Sequence, residues 1–208
     1  MYEIKTDRNE LVPEVEVQEF YDELKSSNFL VLEKEFDNVV YNSLDWLIPS
    51  AFVVYIFKPY FEAFLKEAGK DHYKALKKAI ADKVAPKFLC KNAPCKVRKV
   101  TANGVINENF FSGSFSISSS INYSGKAVKI KLLFPENSDG DYTTKAIDKF
   151  SHFVSSYTDK SLGDLLQKES KFPISTSCFW YNLEADKIEL LDIVESSRQK
   201  QIISTTVQ

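Results

Sequence analysis

The chain has 208 residues, 44% of them hydrophobic and 27% charged, which fits one soluble globular domain with a substantial core. Its three cysteines are too few, and odd in number, for a disulfide framework, so a reducing, cytoplasmic setting is expected. Six glycines, with neither G-x-x-x-x-G-K-[ST] nor G-x-G-x-x-G among them, argue against nucleotide-phosphate loops.

At the N-terminus, Met1-Tyr2-Glu3-Ile4-Lys5 lacks the basic-then-apolar order of a secretory leader. Tyr2, Ile4 and Thr6 alternate with charges and read as a short strand. Val17, Phe20, Tyr21 and Leu24 recur at i, i+3, i+4 and i+7, which predicts a helix over 15–24. Ser26-Ser27-Asn28 ends it, and Phe29–Phe36 reads as a strand.

The longest apolar run starts at Trp46 and reaches Phe57 without a charge. Ser43 or Asp45 as a cap and Pro49 in a first turn predict a buried helix through Phe57. That helix would bend at Pro59 and continue as an amphipathic helix. Its apolar stripe would be Phe61, Leu65, Ala68, His72, Leu76 and Ala79, with Gly69-Lys70-Asp71 as a possible break and Pro86 as its end. No apolar run reaches the roughly 20 residues of a membrane-spanning helix.

After a loop over 86–96, Lys96–Val100 alternates in the manner of a strand. Phe111–Tyr123 has the cleanest period of two, with Phe111, Gly113, Phe115, Ile117, Ser119, Ile121 and Tyr123 on one face and Ser112, Ser114, Ser116, Ser118 and Ser120 on the other. A turn at Tyr123-Ser124-Gly125-Lys126 leads to a return strand with Val128, Ile130, Leu132 and Phe134 on one side and Lys129 and Lys131 opposite. The serine face is expected to be solvated. A helix over 141–157 and further helical turns over 162–168 precede a second hairpin, 177–183 and 187–194. Residues 195–208 read as a flexible tail.

Charge is unevenly distributed. Residues 1–45 carry 4 basic and 12 acidic side chains, and residues 66–99 carry 11 basic and 3 acidic. The simplest reading is that the blocks face each other or are separately solvated. The sharper one is a basic surface of Lys66, Lys70, Lys74, Lys77 and Lys78 for an acidic partner. With one arginine in the block, bidentate recognition is disfavoured, and nucleic acid ranks low as a partner. An anionic membrane surface ranks only slightly higher.

Chemistry-bearing motifs are sparse. His72 falls on the apolar stripe and His152 on a polar helix face, and neither completes a Ser–His or Cys–His pair at a recognisable spacing. Cys90 and Cys95 supply at most half a zinc site, so no metal or cofactor is assigned.

The sequence therefore predicts one α+β domain over 1–194. A bent hydrophobic helix would pack on an antiparallel sheet of two β-hairpins, with a second amphipathic helix beside it and the sheet covered on one side. For function it favours a non-catalytic protein-binding or accessory module, docking another protein or a second copy of itself. The alternatives are an enzyme whose site is assembled from dispersed polar residues, with catalytic residues unassigned, and a peripheral membrane protein attached through 46–66.

Overall fold

A computed structural model describes residues 2–36, 50–66, 69–96, 110–169, 175–199 and 201–207. Its frame is an eight-stranded mixed sheet in the order β2-β1-β3-β4-β5-β6-β7-β8. The strands are β1 (Tyr2–Asn9), β2 (Phe29–Phe36), β3 (Phe52–Ile56), β4 (Phe111–Tyr123), β5 (Lys126–Pro135), β6 (Thr176–Asn182), β7 (Lys187–Leu191) and β8 (Ser204–Thr206). The helices are α1 (Glu14–Ser26), α2 (Lys58–Leu65), α3 (Lys70–Ala79), α4 (Ala85–Phe88), α5 (Gly140–Ser155), α6 (Asp159–Glu169) and α7 (Ile193–Gln199).

The expected hairpins are present, β4 with β5 and β6 with β7. The sheet is nevertheless not the purely antiparallel one anticipated, because β1–β2, β3–β4 and β5–β6 pair in parallel. Parallel neighbours need crossover connections, and α1 supplies the one between β1 and β2.

The larger correction concerns the apolar run. Residues 52–56 form the strand β3, not the first half of a bent helix. β3 lies between β1 and β4, and its burial pattern is nearly continuous. A strand covered on both faces has no reason to alternate, so an unbroken apolar run fits it as well as a buried helix. Val53, Val54 and Ile56 are β-branched and Phe52 and Tyr55 aromatic, the composition that favours strands. Pro59 then sits in the first turn of α2, where its missing N–H costs nothing, instead of bending a continuous helix. The expected cap at Ser43 or Asp45, Pro49, and the strand after Lys96 lie outside the described residues.

Pro86 does not end its helix. α3 passes into a π-helical turn at Ile80–Val84, where the Ala85 N–H donates to the Ile80 carbonyl, and then into α4 with Pro86 in its first turn. The widened turn shifts the hydrogen-bond ladder at the point where proline offers no donor.

The main core lies between the sheet and α1–α6. Phe52 is its hub: its ring centre lies 5.9 Å from that of Phe20, 5.3 Å from Phe88 and 6.0 Å from Phe115. Val17, Phe20, Tyr21 and Leu24 of α1 are buried, as their spacing required. On α5, Phe150 contacts Phe61 of α2 and Phe179 of β6. Asp139 caps α5 by accepting from the Tyr142 N–H at 2.7 Å.

The sheet is not covered on one side alone. A smaller cluster of Phe111, Leu133, Cys178 and Leu191 occupies the opposite face, packed by Trp180, Ile193 and Ile202. The segment read from sequence as a tail contributes to it: α7 brings Ile193, and β8 pairs antiparallel with β7. The serine face of β4 lies on this side too. Ser112, Ser114, Ser116 and Ser118 are all fully buried, against the expectation of a solvated row.

Candidate functional site

The lysines singled out in the sequence fall into two groups. Lys66 at the end of α2 and Lys70, Lys74 and Lys78 of α3 are exposed, the last three at four-residue spacing along one helix face. Lys74 has Asp71 at 3.8 Å, a fully solvated pair of small worth. Lys77 is drawn off this ridge. Its Nζ donates to Asp148 at 2.6 Å and lies 4.6 Å from the centre of the Tyr73 ring. Part of the charge asymmetry is satisfied internally, since Lys83 meets Glu19 and Lys87 meets Glu16, each at 3.6 Å, across the junction of α1 with the α3–α4 helix.

Several polar clusters are candidates for chemistry, and each is tied into the structure. Tyr73 Oη donates to Asp148 at 2.9 Å, and burial pushes its phenol pKa up. Tyr142 Oη donates to the Tyr181 carbonyl at 2.5 Å, and burial likewise holds it protonated. Tyr181 in turn donates to Asp186 at 2.6 Å, and this bond to a carboxylate moves its pKa up to about 12. Lys149, 2.6 Å from Asp186, holds that carboxylate below its usual range, with the Tyr181 bond adding to the effect. Lys58, buried at the start of α2, has Asp159 at 3.3 Å and Glu62 at 3.6 Å. A buried lysine paired with two carboxylates is a structural ion-pair cluster. These tyrosines are locked donors, so proton transfer at neutral pH is not what their environment promotes.

The two histidines behave differently. His72 is half-buried and lies against aromatic rings, 4.9 Å from Tyr2 and 5.5 Å from Phe29 between centres. His152 is exposed, as its helical position implied. Cys90 donates to the Ser138 carbonyl at 3.7 Å, and burial raises the Cys95 thiol pKa. Among the described residues no group of three His, Cys, Asp or Glu could hold a metal ion. A shallow groove of about 260 Å³ runs along the β7–β8 edge, with Phe153, Ile188 and Val207 in its wall and Lys149 and Lys187 at its rim. It brings together none of the raised-pKa tyrosines.

The surface that stands apart is the other end of the sheet. β2 is its edge strand, eight residues long, and among the described residues no strand pairs with its outer side. Leu30 and Leu32 are 43% and 41% exposed. They lie on the face opposite α1, because Leu30 is in register with Glu3 and Leu32 with Lys5. Lys5 is in register with Tyr55, and Phe57, still extended, follows two residues later with 60% of its surface exposed. On this face Glu3 and Lys5 of β1, an ion pair at 3.4 Å, separate the two leucines from the half-buried Tyr55 and the exposed Phe57. Edge strands of this length and composition are open templates for pairing unless charge, proline or a bulge blunts them. In β2 the charges Glu33, Lys34 and Glu35 are confined to the second half.

Sequence reasoning did not single out Leu30 or Leu32. The available signal was that Phe29, Leu30, Val31 and Leu32 are apolar in succession, which puts greasy side chains on both faces of a strand beside a charged run. No family model matches this chain, and no curated protein or solved structure resembles it closely enough to match.

Proposed function

We propose that the chain is a non-catalytic protein-binding module that receives an extended segment against β2. The observation that carries this reading is that among the described residues no strand pairs with the outer side of β2, combined with the exposed Leu30 and Leu32. Strand addition draws affinity from main-chain hydrogen bonds and specificity from alternate side chains, and β2 offers both. The partner segment this edge favours is apolar at alternate positions, with basic or neutral residues opposite Glu33 and Glu35.

The alternatives draw less support. An enzyme assembled from dispersed residues would use clusters such as Lys58–Asp159 or Tyr73–Asp148, whose groups are already paired with one another. Membrane attachment through 46–66 has Phe57 and Lys66 exposed, whereas Phe52, Val54, Ile56, Phe61 and Phe64 belong to the core.

A photo-crosslinking residue placed at Leu32, compared with one at the exposed Leu183 of the β6–β7 turn, tests the binding reading in cells that express the chain. Discrete adducts to protein from position 32 and none from position 183 are expected. Adducts that are absent at 32, or the same at both positions, refute it.

A further inference from the structure

We infer that the segment received by β2 is β2 of a second copy, paired antiparallel about a two-fold axis at Val31. The inference rests on the binding reading above and names its partner. A two-fold axis perpendicular to the sheet keeps each face on its own side, so it pairs residues of like parity. Centred on Val31, it sets Leu30 opposite the partner's Leu32 and Leu32 opposite the partner's Leu30. The four exposed leucines then form one cross-strand cluster on the face away from α1. Phe29 meets the partner's Glu33 on the other face, and Lys34 and Glu35 fall beyond the overlap. No like charges are opposed.

Neighbouring registers are poorer. Centring on Leu32 sets Leu30 against the partner's Lys34. Centring on Glu33 brings the two Glu33 carboxylates together, and centring on Lys34 opposes the two ammonium groups and sets Glu33 against the partner's Glu35. Like charges directly opposite destabilise a sheet, whereas apolar pairs stabilise it. Centring on Leu30 opposes no like charges but sets Leu32 against Asn28, outside the strand, so the Val31 register alone pairs both leucines of each copy with leucines. A five-residue overlap is small beside the roughly 1,200 Å² that stable interfaces bury, so the dimer is expected to be in exchange with monomer.

Charge-swapped variants read out this register. Sedimentation equilibrium of the wild type at about 100 μM is expected to show a mass approaching twice 23.8 kDa. Leu30→Lys and Leu32→Glu, each at an exposed position and each beside an opposite charge of β1 (Glu3 and Lys5), are expected to weaken association at least about tenfold. The double variant L30K/L32E sets an ammonium group at position 30 opposite a carboxylate at position 32 of the other copy, twice over by symmetry. Its association is expected to recover to within about threefold of wild type. Circular dichroism checks that each variant is folded; should a charged variant unfold, Leu30→Thr with Leu32→Thr provides the loss-of-association arm. A monomeric wild type at about 100 μM, or a folded double variant as monomeric as the single ones, overturns the inference. A monomeric wild type whose position-32 photo-adducts contain a different protein overturns self-pairing and keeps the binding reading; a monomer without adducts overturns both.

Discussion

β4 and β2 invert the usual expectation about polarity and burial. β4 presents a row of serine hydroxyls and buries four of them completely, whereas β2 presents two leucines and leaves them more than 40% exposed. The difference is one of position. β4 is central, with β3 on one side and β5 on the other, while β2 is at the edge. A small side chain at the centre of a sheet is buried by whatever packs on the strands around it. A large one at the edge has neighbours on one side only. Burial in this fold is therefore set by topology first and by residue type second. The hydroxyls of Ser116 and Ser118 have no hydrogen-bond partner among the described residues, so this burial costs β4 some stability.

The contrast can be probed from its strongest element to its weakest. Phe52→Ala, at the hub of the helix-side core, is expected to destabilise by about 3–5 kcal/mol, read from urea or thermal unfolding. A loss below about 1 kcal/mol would show that the core is not organised around β3.

The next effect is alkaline. Tyr21, which shares a 3.1 Å hydrogen bond with Thr6, has its pKa raised by burial to about 12 from 10.0. Its stabilising contribution is complete below pH 10 and is lost as pH rises through 12, because the unfolded chain gives up the phenolic proton first. Stability is expected to fall by about 2 kcal/mol across this window on account of this one group. Urea midpoints of wild type and Tyr21→Phe at about pH 9 and about pH 11.5 measure it, with the variant losing less on going up in pH. Parallel slopes would show that Tyr21 is solvated.

Gly163→Ala tests how α6 seats on β4. An added Cβ would overlap the ring of Tyr123 at Cγ and Cδ2, and the hydroxyl of that ring donates to Asp164 at 2.9 Å. The ring must move, and a loss of about 1–3 kcal/mol is expected from thermal unfolding. An unchanged midpoint would mean that this contact is loose.

The last two measurements address the inversion itself. Ser116→Ala removes a buried hydroxyl that has no partner among the described residues, and is expected to leave stability unchanged or raise it by up to about 1 kcal/mol in urea unfolding. A clear loss would reveal a partner for that hydroxyl. Leu32→Thr, at low micromolar concentration, is expected to change monomer stability by less than about 0.5 kcal/mol. A larger loss would place Leu32 in a monomer contact and weaken the case for a binding edge.

Much of the fold was legible where one face of an element is buried and the other is not. α1, β1, and the hairpin of β4 and β5 have clean periods that place them. Legibility failed where both faces are buried. β3 has no period to read, and the serine alternation of β4 specified two faces without saying that the polar one would also be covered. The parallel pairings could not be seen either, because they depend on crossovers between distant segments. β8 is three residues long, too short to rise above the polar sequence around it. Of the candidate surface, the exposed lysines of α3 were readable from helical spacing, but Lys77 was not, since its partner Asp148 is 71 residues away.

The sheet's topology also bears on the order in which it can assemble. β4 and β5 are joined by a tight turn at Ser124 and Gly125, both with positive φ, so their ladder closes a loop of a few residues. The ladders of β3 on β4 and β5 on β6 join distant segments, and β2 reaches the sheet only through β1. Loop-closure entropy then favours a nascent hairpin that recruits strands outward, with the β1–β2 pair docking late and on a timescale of about milliseconds to seconds. Until that docking is complete β2 has only β1 and α1 beside it. The segment proposed to recognise a second chain is thus also the one longest available to meet it during synthesis.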